Sequence, residues 1–170
     1  MKQITFYGRG GQGAVTAAEI LAIAAFYDNK IAQAFPAFGV ERRGAPVYAF
    51  CKIDSKEIRS REQVYNPDYI IVLDSSLMKN LNVKENQKVI VNSEKDYEKN
   101  IFSVDATKIA LETLGVPIVN TAMLGAFCAT GEISIDSLKK AIKEKFENKA
   151  EKNLIAAEKA YNELKKKIKS

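Results

Sequence analysis

Six residues near the start of the chain carry its clearest chemical signal. They read Gly8-Arg9-Gly10-Gly11-Gln12-Gly13, in which Gly8, Gly10 and Gly13 have the G-x-G-x-x-G spacing. Such glycines let a turn close tightly and let the backbone approach a ligand, while a following helix directs N–H groups and its positive dipole end at one point. A phosphate or carboxylate would be stabilised there. The same turn can also join a strand to a helix without any ligand.

A second candidate is the loop Phe35–Val47, which contains Glu41-Arg42-Arg43 between two prolines and two glycines. Proline and glycine restrict the shape of a loop, and arginine binds phosphate or carboxylate as a bidentate fork. All five arginines of the chain lie within its first 61 residues. The cluster either pairs with itself in a structural loop or binds an anion or a partner's carboxylate, and we favour binding.

The composition excludes several kinds of chemistry. The 170 residues include no histidine, so imidazole bases and imidazole metal ligands are absent. Cys51 and Cys128 are far apart, match no metal spacing and are expected to be reduced and buried. We therefore expect no catalytic residue and no metal site in this chain. No apolar run approaches the ~18 residues of a membrane span, so we expect a cytoplasmic protein with no membrane contact.

The net charge of +5 is concentrated at the C-terminal end, because Lys139–Ser170 contains 11 lysines and 5 glutamates. Lysine and glutamate alternate there at helical repeats, which is typical of solvated helix faces. Nucleic-acid binding would favour arginine and aromatic residues on a common face. We therefore expect no nucleic-acid partner.

The hydrophobic pattern predicts an α/β fold formed by residues 1–170 as a single domain. We predict a three-layer α/β/α arrangement with a Rossmann-like, mostly parallel sheet and an appended antiparallel hairpin. The expected strands are Lys2–Tyr7, Ile31–Phe35, Tyr69–Leu73, Lys88–Val91 and Ile101–Val104, and the hairpin joins Val47–Ile53 to Lys56–Ser60. The expected helices are Ala14–Phe26, Leu77–Leu81, Ala106–Leu114, Asn120–Ala129, Ser134–Phe146 and Ala150–Ile168.

Two details of this pattern bear on the ligand. A dinucleotide-binding unit places an acidic residue at the end of its second strand, whereas this chain has Gln33, Ala34 and Phe35 there. This argues against NAD. Asp74 follows a buried strand and could face a ligand crevice, but we favour the interpretation that it caps the next helix.

Several motifs together resemble the gamma subunit of 2-oxoacid:ferredoxin oxidoreductases. They are the glycine turn, Phe38–Val47 with its Glu-Arg-Arg-Gly-Ala-Pro core, Asn66-Pro67-Asp68 before the strand that ends in Asp74, and Asn120-Thr121 before Leu124-Gly125. The resemblance covers nearly the whole chain. The Glu41–Pro46 segment is most similar to the pyruvate branch of the family, pyruvate:ferredoxin oxidoreductase.

The resemblance implies a subunit that is not catalytic alone. Thiamine diphosphate, Mg²⁺ and iron–sulfur clusters would lie on partner subunits, named alpha, beta and delta, the last ferredoxin-like, and ferredoxin would accept the electrons. Coenzyme A is the expected shared ligand. The residues implied in its binding are Gly8, Arg9, Gly10, Gly11, Gln12, Gly13, Glu41, Arg42, Arg43, Asn120 and Thr121.

Three alternatives remain open. A gamma subunit could serve another 2-oxoacid, such as 2-ketoisovalerate or 2-oxoglutarate. A free-standing nucleotide-binding enzyme would account for the glycine spacing alone. A purely structural subunit would assemble with its partners without contacting any ligand.

Overall fold

A computed structural model of the chain describes residues 1–37 and 44–169, and a six-stranded sheet runs through it. The order of its strands is β2-β3-β1-β4-β5-β6. β1, β4, β5 and β6 are parallel to one another, while β3 is antiparallel to both β1 and β2. The strands are β1 (Lys2–Arg9), β2 (Ile31–Pro36), β3 (Pro46–Asp54), β4 (Tyr69–Val72), β5 (Lys88–Asn92) and β6 (Ile101–Val104).

The described residues also form five α-helices, one after β1 and four after β6. They are α1 (Ala14–Tyr27), α2 (Ala106–Thr113), α3 (Asn120–Cys128), α4 (Ile135–Phe146) and α5 (Ala150–Lys169). Local signals account for several of their first residues. Asp105 caps α2 by accepting a hydrogen bond from the Lys108 N–H, and Ser134 caps α4 by accepting one from the Ser137 N–H.

The two faces of the sheet bury different side chains, because successive residues of a strand point in opposite directions. Ile4 and Phe6 of β1 belong to the main core, to which all five α-helices contribute buried residues. Tyr7 of β1 lies on the second face, in a smaller cluster with Leu77 of the 3-10 helix Ser75–Asn80. In the described part of the chain, the third layer therefore consists of this 3-10 helix and loops.

The α/β class, the Rossmann-like sheet and the presence of an antiparallel hairpin are confirmed, but the pairing of Val47–Ile53 with Lys56–Ser60 is wrong. β3 pairs with β2, from Ile31 opposite Asp54 to Pro36 opposite Ala49, and Lys56–Ser60 is not a strand. That segment instead runs along the sheet, where Ile58 is buried and its carbonyl oxygen accepts a hydrogen bond from Gln33. Its apolar residue reflects burial against the sheet rather than pairing within it. The helix expected over Leu77–Leu81 is the 3-10 helix.

Candidate functional site

The glycine turn lies at the carboxyl end of β1 and leads directly into α1. Gly11 and Gly13 have φ angles of 89° and 83°, which L side chains rarely adopt, so the turn depends on glycine at these positions. Gly13 is the N-cap of α1, where no side chain makes a capping hydrogen bond and no acidic residue lies in the first turn. The positive end of the α1 dipole therefore remains available to an anionic group.

Arg9 fixes this turn to two other segments. Its guanidinium donates to the Gly44 carbonyl oxygen at 3.0 Å and to Ser76 Oγ at 2.9 Å, and its Nε lies 3.4 Å from Asp74 Oδ2. The Gly10 N–H also donates to the Ala45 carbonyl oxygen at 2.9 Å. Because the guanidinium already serves these acceptors, Arg9 positions the turn. The N–H groups of Arg9, Gly10 and Gln12 also donate within the fold, so among the described residues of the turn those of Gly11 and Gly13 remain as anion donors.

Gln12 and Asp74 complete the contacts of the turn. Gln12 Oε1 accepts from the Arg9 N–H at 2.7 Å, and Gln12 Nε2 donates to Asp74 Oδ2 at 3.3 Å. Burial alone raises the pKa of Asp74, but hydrogen bonds from Ser76 and Gln12 and the charge of Arg9 outweigh it, so the pKa lies below its ordinary value. Asp74 also accepts from the Ser76 N–H, which confirms the expected helix cap.

The structure brings one residue of the Asn120-Thr121 pair to the turn. A Cβ atom on Gly13 would lie 2.8 Å from Asn120 Nδ2, so the two residues are in close contact. Thr121 is fully buried and its Oγ1 donates to Asn153 Oδ1 of α5 at 3.0 Å. Asn120 therefore contributes to the turn, whereas Thr121 joins two helices of the core.

A cavity of about 640 Å³ opens beside the turn, at the carboxyl ends of the parallel strands. This edge is where open α/β sheets bind their ligands. The cavity contains four acidic side chains and two lysines, so its charge is unfavourable for a polyanion. An anionic group would thus bind at the turn rather than deep in the cavity. The charged residues that line it are Asp74, Glu94, Lys95, Asp105, Lys108 and Glu112.

The Glu41-Arg42-Arg43 cluster lies outside the described residues. The residues that follow it, Gly44 and Ala45, both accept hydrogen bonds from the glycine turn. These contacts, and that of Arg9 with Ser76, were not expected from the sequence. Their partners lie 35 and 67 residues from Arg9, and no local pattern indicates such pairs.

The two cysteine thiols, which lie outside the turn, are enclosed in the core. Cys51 and Cys128 are buried and unbonded to each other, and burial raises the pKa of both thiols.

Within residues 1–37 and 44–169, no three histidine, cysteine or acidic side chains are grouped so that they could hold a metal ion. Over the same ranges, no helix combines the length and the apolar character that a membrane crossing requires.

Comparison with known proteins gives concordant matches over nearly the whole chain. A sequence model described as pyruvate ferredoxin/flavodoxin oxidoreductase matches residues 3–163. Pyruvate synthase subunit PorC of Methanocaldococcus jannaschii is 58% identical and aligns over 98% of this chain and 99% of its own. The pyruvate/ketoisovalerate oxidoreductases common subunit gamma of Pyrococcus abyssi is 54% identical over 95% of this chain and 96% of its own.

A solved structure agrees with these sequence matches. The crystal structure of pyruvate oxidoreductase subunit PORC from Thermotoga maritima superimposes with a TM-score of 0.81 and 36% identity. The superposition covers 95% of both chains. The likeness therefore includes the sheet, the helices and the carboxyl edge at which the glycine turn lies.

Proposed function

The chain belongs to the pyruvate ferredoxin/flavodoxin oxidoreductase family, and on that premise we propose that it is the gamma subunit of a pyruvate synthase. The proposed complex converts pyruvate, coenzyme A and oxidised ferredoxin to acetyl-CoA, carbon dioxide and reduced ferredoxin. Within it, this chain contributes to coenzyme A handling and to assembly rather than to redox chemistry. The observation that carries the proposal is the match to a pyruvate synthase subunit at 58% identity over both chains.

A second oxoacid has specific support. The Pyrococcus abyssi relative is named as a common subunit of pyruvate and ketoisovalerate oxidoreductases. By analogy, this chain could serve complexes for pyruvate and for 2-ketoisovalerate, with the oxoacid selected by other subunits. The assay of the complex should therefore include both substrates.

The cofactors are proposed to lie on partner chains. Thiamine diphosphate with Mg²⁺, and the iron–sulfur clusters, would be held by the alpha, beta and delta subunits and would supply decarboxylation and electron transfer there. The described residues of this chain offer no cluster of metal-binding side chains, and both cysteines are buried. We propose a cytoplasmic location, as expected from the sequence.

The proposed contact with coenzyme A is made by the glycine turn. Its N–H groups and the α1 dipole would bind a phosphate of the ligand, with Asn120 beside Gly13. Arg9, Gln12 and Asp74 keep the turn in place through the hydrogen bonds described above. Arg42 and Arg43, which directly precede Gly44 in the sequence, would add cationic groups for the ligand or for a neighbouring subunit.

The first test is isolation of the complex through a tag on this chain in its native cells. The purified complex should oxidise pyruvate only in the presence of coenzyme A and reduce ferredoxin. Recovery of the chain alone with a bound nucleotide, or of a complex that lacks this activity, would contradict the proposed function.

The second test compares Gly11→Asp with Gly11→Asn in that complex. Both side chains point into open space, and the φ of 89° strains both to a similar degree, because Asn and Asp enter the left-handed region more readily than other L residues. The two variants therefore differ mainly in charge. A carboxylate ~6 Å from a bound phosphate costs roughly 1–3 kcal/mol, depending on the local dielectric. The apparent KM for coenzyme A should rise by about 5- to 150-fold in Gly11→Asp relative to Gly11→Asn, with kcat unchanged.

Equal KM values in the two Gly11 variants would show that the turn does not bind the anion. The double variant Arg42→Ala/Arg43→Ala provides a separate measurement. A raised KM for coenzyme A in the assembled double variant would support a ligand contact. A lower yield of assembled complex, with an unchanged KM for coenzyme A in the complex that does form, would support the purely structural alternative.

A further inference from the structure

The outer edge of β2 offers unpaired backbone groups. Within residues 1–37 and 44–169, β2 is the last strand of the sheet on its side and pairs only with β3. The Ala37 N–H donates to the Tyr48 carbonyl oxygen at 3.1 Å. Because hydrogen-bonded pairs alternate along an antiparallel ladder, this bond shows which residues of β2 direct their backbone N–H and C=O groups toward β3. By alternation, Ala32 and Ala34 turn their N–H and C=O groups outward, and Pro36 turns only its C=O outward.

Of the features that usually prevent a sheet from pairing further, β2 has only Pro36, at its end. The sequence of β2, IAQAFP, contains no charged side chain, and Ile31 at its start is 44% exposed. Charged residues and covering elements are the common protection of edge strands. At the opposite edge such protection exists, because Lys167 of α5 donates to the Ser103 carbonyl oxygen of β6 at 2.6 Å.

A groove runs beside the exposed edge. It has a volume of about 340 Å³ and is lined by Gln33, Ala34, Phe35 and Arg61. Arg61 makes no hydrogen bond or ion pair with any other residue that the structure describes. Its neighbour Arg59, by contrast, lies 3.7 Å from the carboxylate of Glu57. The groove therefore combines a strand edge with one positive charge that no described residue compensates.

We propose that β2 pairs with an extended segment of another subunit of the oxidoreductase complex, and that this segment carries a carboxylate that binds Arg61. Added strands bind through main-chain hydrogen bonds, and side-chain contacts provide their specificity. A second copy of this chain fits less well. Pairing of β2 with β2 would bring a second Arg61 to the interface, and the strand itself has no carboxylate for it.

Hydrogen exchange at single-residue resolution tests the pairing. The amides of Ala32 and Ala34 should exchange rapidly in the free chain and at least about tenfold more slowly in the complex isolated through a tag on this chain. The amides of Gln33 and Phe35 face β3 and should be protected in both states. Equal exchange of Ala32 and Ala34 in both states would overturn the proposal. So would protection in the free chain that grows with its concentration and accompanies a dimeric mass.

Charge reversal tests the carboxylate. Arg61→Glu should raise the dissociation constant of this chain from its complex at least about tenfold, since a charge-assisted hydrogen bond is replaced by repulsion. Arg59→Glu is the matched control, because Arg59 belongs to the same exposed segment as Arg61 but does not line the groove. It should change the constant by less than about twofold. Equal effects of the two substitutions would overturn the assignment of Arg61. Both side chains are exposed, so neither substitution should unfold the chain.

Discussion

Gly125→Ala should be among the most destabilising single-methyl additions to this protein. Gly125 lies in the middle of α3, a helix buried at every residue, and faces the backbone of α5. A Cβ atom added there would overlap the carbonyl oxygen of Ala157 and would lie 2.6 Å from its carbonyl carbon and 2.7 Å from its Cα. The obstacle is main chain, so no rotation of a side chain relieves it.

The structure supplies the magnitude. To bring the carbonyl carbon to an ordinary contact distance of 3.4 Å, α3 and α5 must separate by at least about 0.8 Å, and the nearer carbonyl oxygen requires a larger displacement. A gap of ~0.5–1 Å removes roughly a quarter to a half of the attraction between each pair of facing atoms. Overpacking of a core costs typically about 1–3 kcal/mol, and a clash with rigid backbone belongs at the upper end. We expect a loss of about 3 kcal/mol, or roughly 6–12 °C in Tm for a chain of this size.

Thermal unfolding followed by circular dichroism measures this loss. Gly115→Ala is the control, because its added Cβ meets nothing within 4 Å while its φ of 77° imposes strain on alanine. That strain costs about 1–2 kcal/mol, so the Tm of Gly115→Ala should be higher than the Tm of Gly125→Ala. Ala157→Gly should not restore the stability of Gly125→Ala, since the obstructing atoms belong to the backbone. A Tm for Gly125→Ala within about 2 °C of the unsubstituted chain would refute the close packing of α3 on α5.

Two further predictions concern long-range polar contacts. Asp28 accepts hydrogen bonds from the N–H and Oγ of Ser134 at 2.8 Å and from Ser137 Oγ. Burial alone raises the pKa of Asp28, but these bonds lower it below its ordinary value of 3.8. Because the folded-state pKa is depressed, the stabilisation by Asp28 is present above pH 3.8 and is lost as the pH falls through the folded-state pKa. Asp28→Ala should therefore lower the free energy of unfolding by about 1–2 kcal/mol at pH 7 and by less in acid. An equal loss at pH 7 and below pH 3, measured by urea titration, would contradict this. Lys52 is buried and donates to the Glu62 carbonyl oxygen at 2.6 Å. Lys52→Met should therefore release the segment around Glu62 and speed tryptic cleavage after Arg61 several-fold. The exposed control Lys56→Met should leave that rate unchanged, although it removes its own cleavage site. Equal cleavage rates after Arg61 in the two lysine variants would exclude this role of Lys52.

Much of the fold could be predicted because its signals are local. The glycine spacing indicated the turn, and Asp74, Asp105 and Ser134 each cap the helical segment that follows them. The partner of β3 was predicted wrongly, because apolar spacing indicates that a segment is buried but not which strand lies beside it. Lys56–Ser60 follows β3 directly in sequence, yet β2 is the strand that pairs with it.

The candidate site shows the same division. Residue types and spacing identified the turn and, through the resemblance, its family. They could not distinguish Asn120 at the turn from Thr121 in the core, since adjacent residues of a helix point about 100° apart and only packing decides which side is enclosed. Nor could they show that Arg9 is occupied by acceptors from two distant segments.

By itself, the sequence determined the family, the α/β class, the positions of most helices and strands, and the absence of histidine chemistry. These properties depend on residue identities and on patterns within a few positions of one another. Only the tertiary structure decided that all five α-helices share one core, that Arg9 positions the turn, and that β2 has an open edge beside Arg61. Each of these depends on contacts between distant segments, which form only when the whole sheet and its helices pack together.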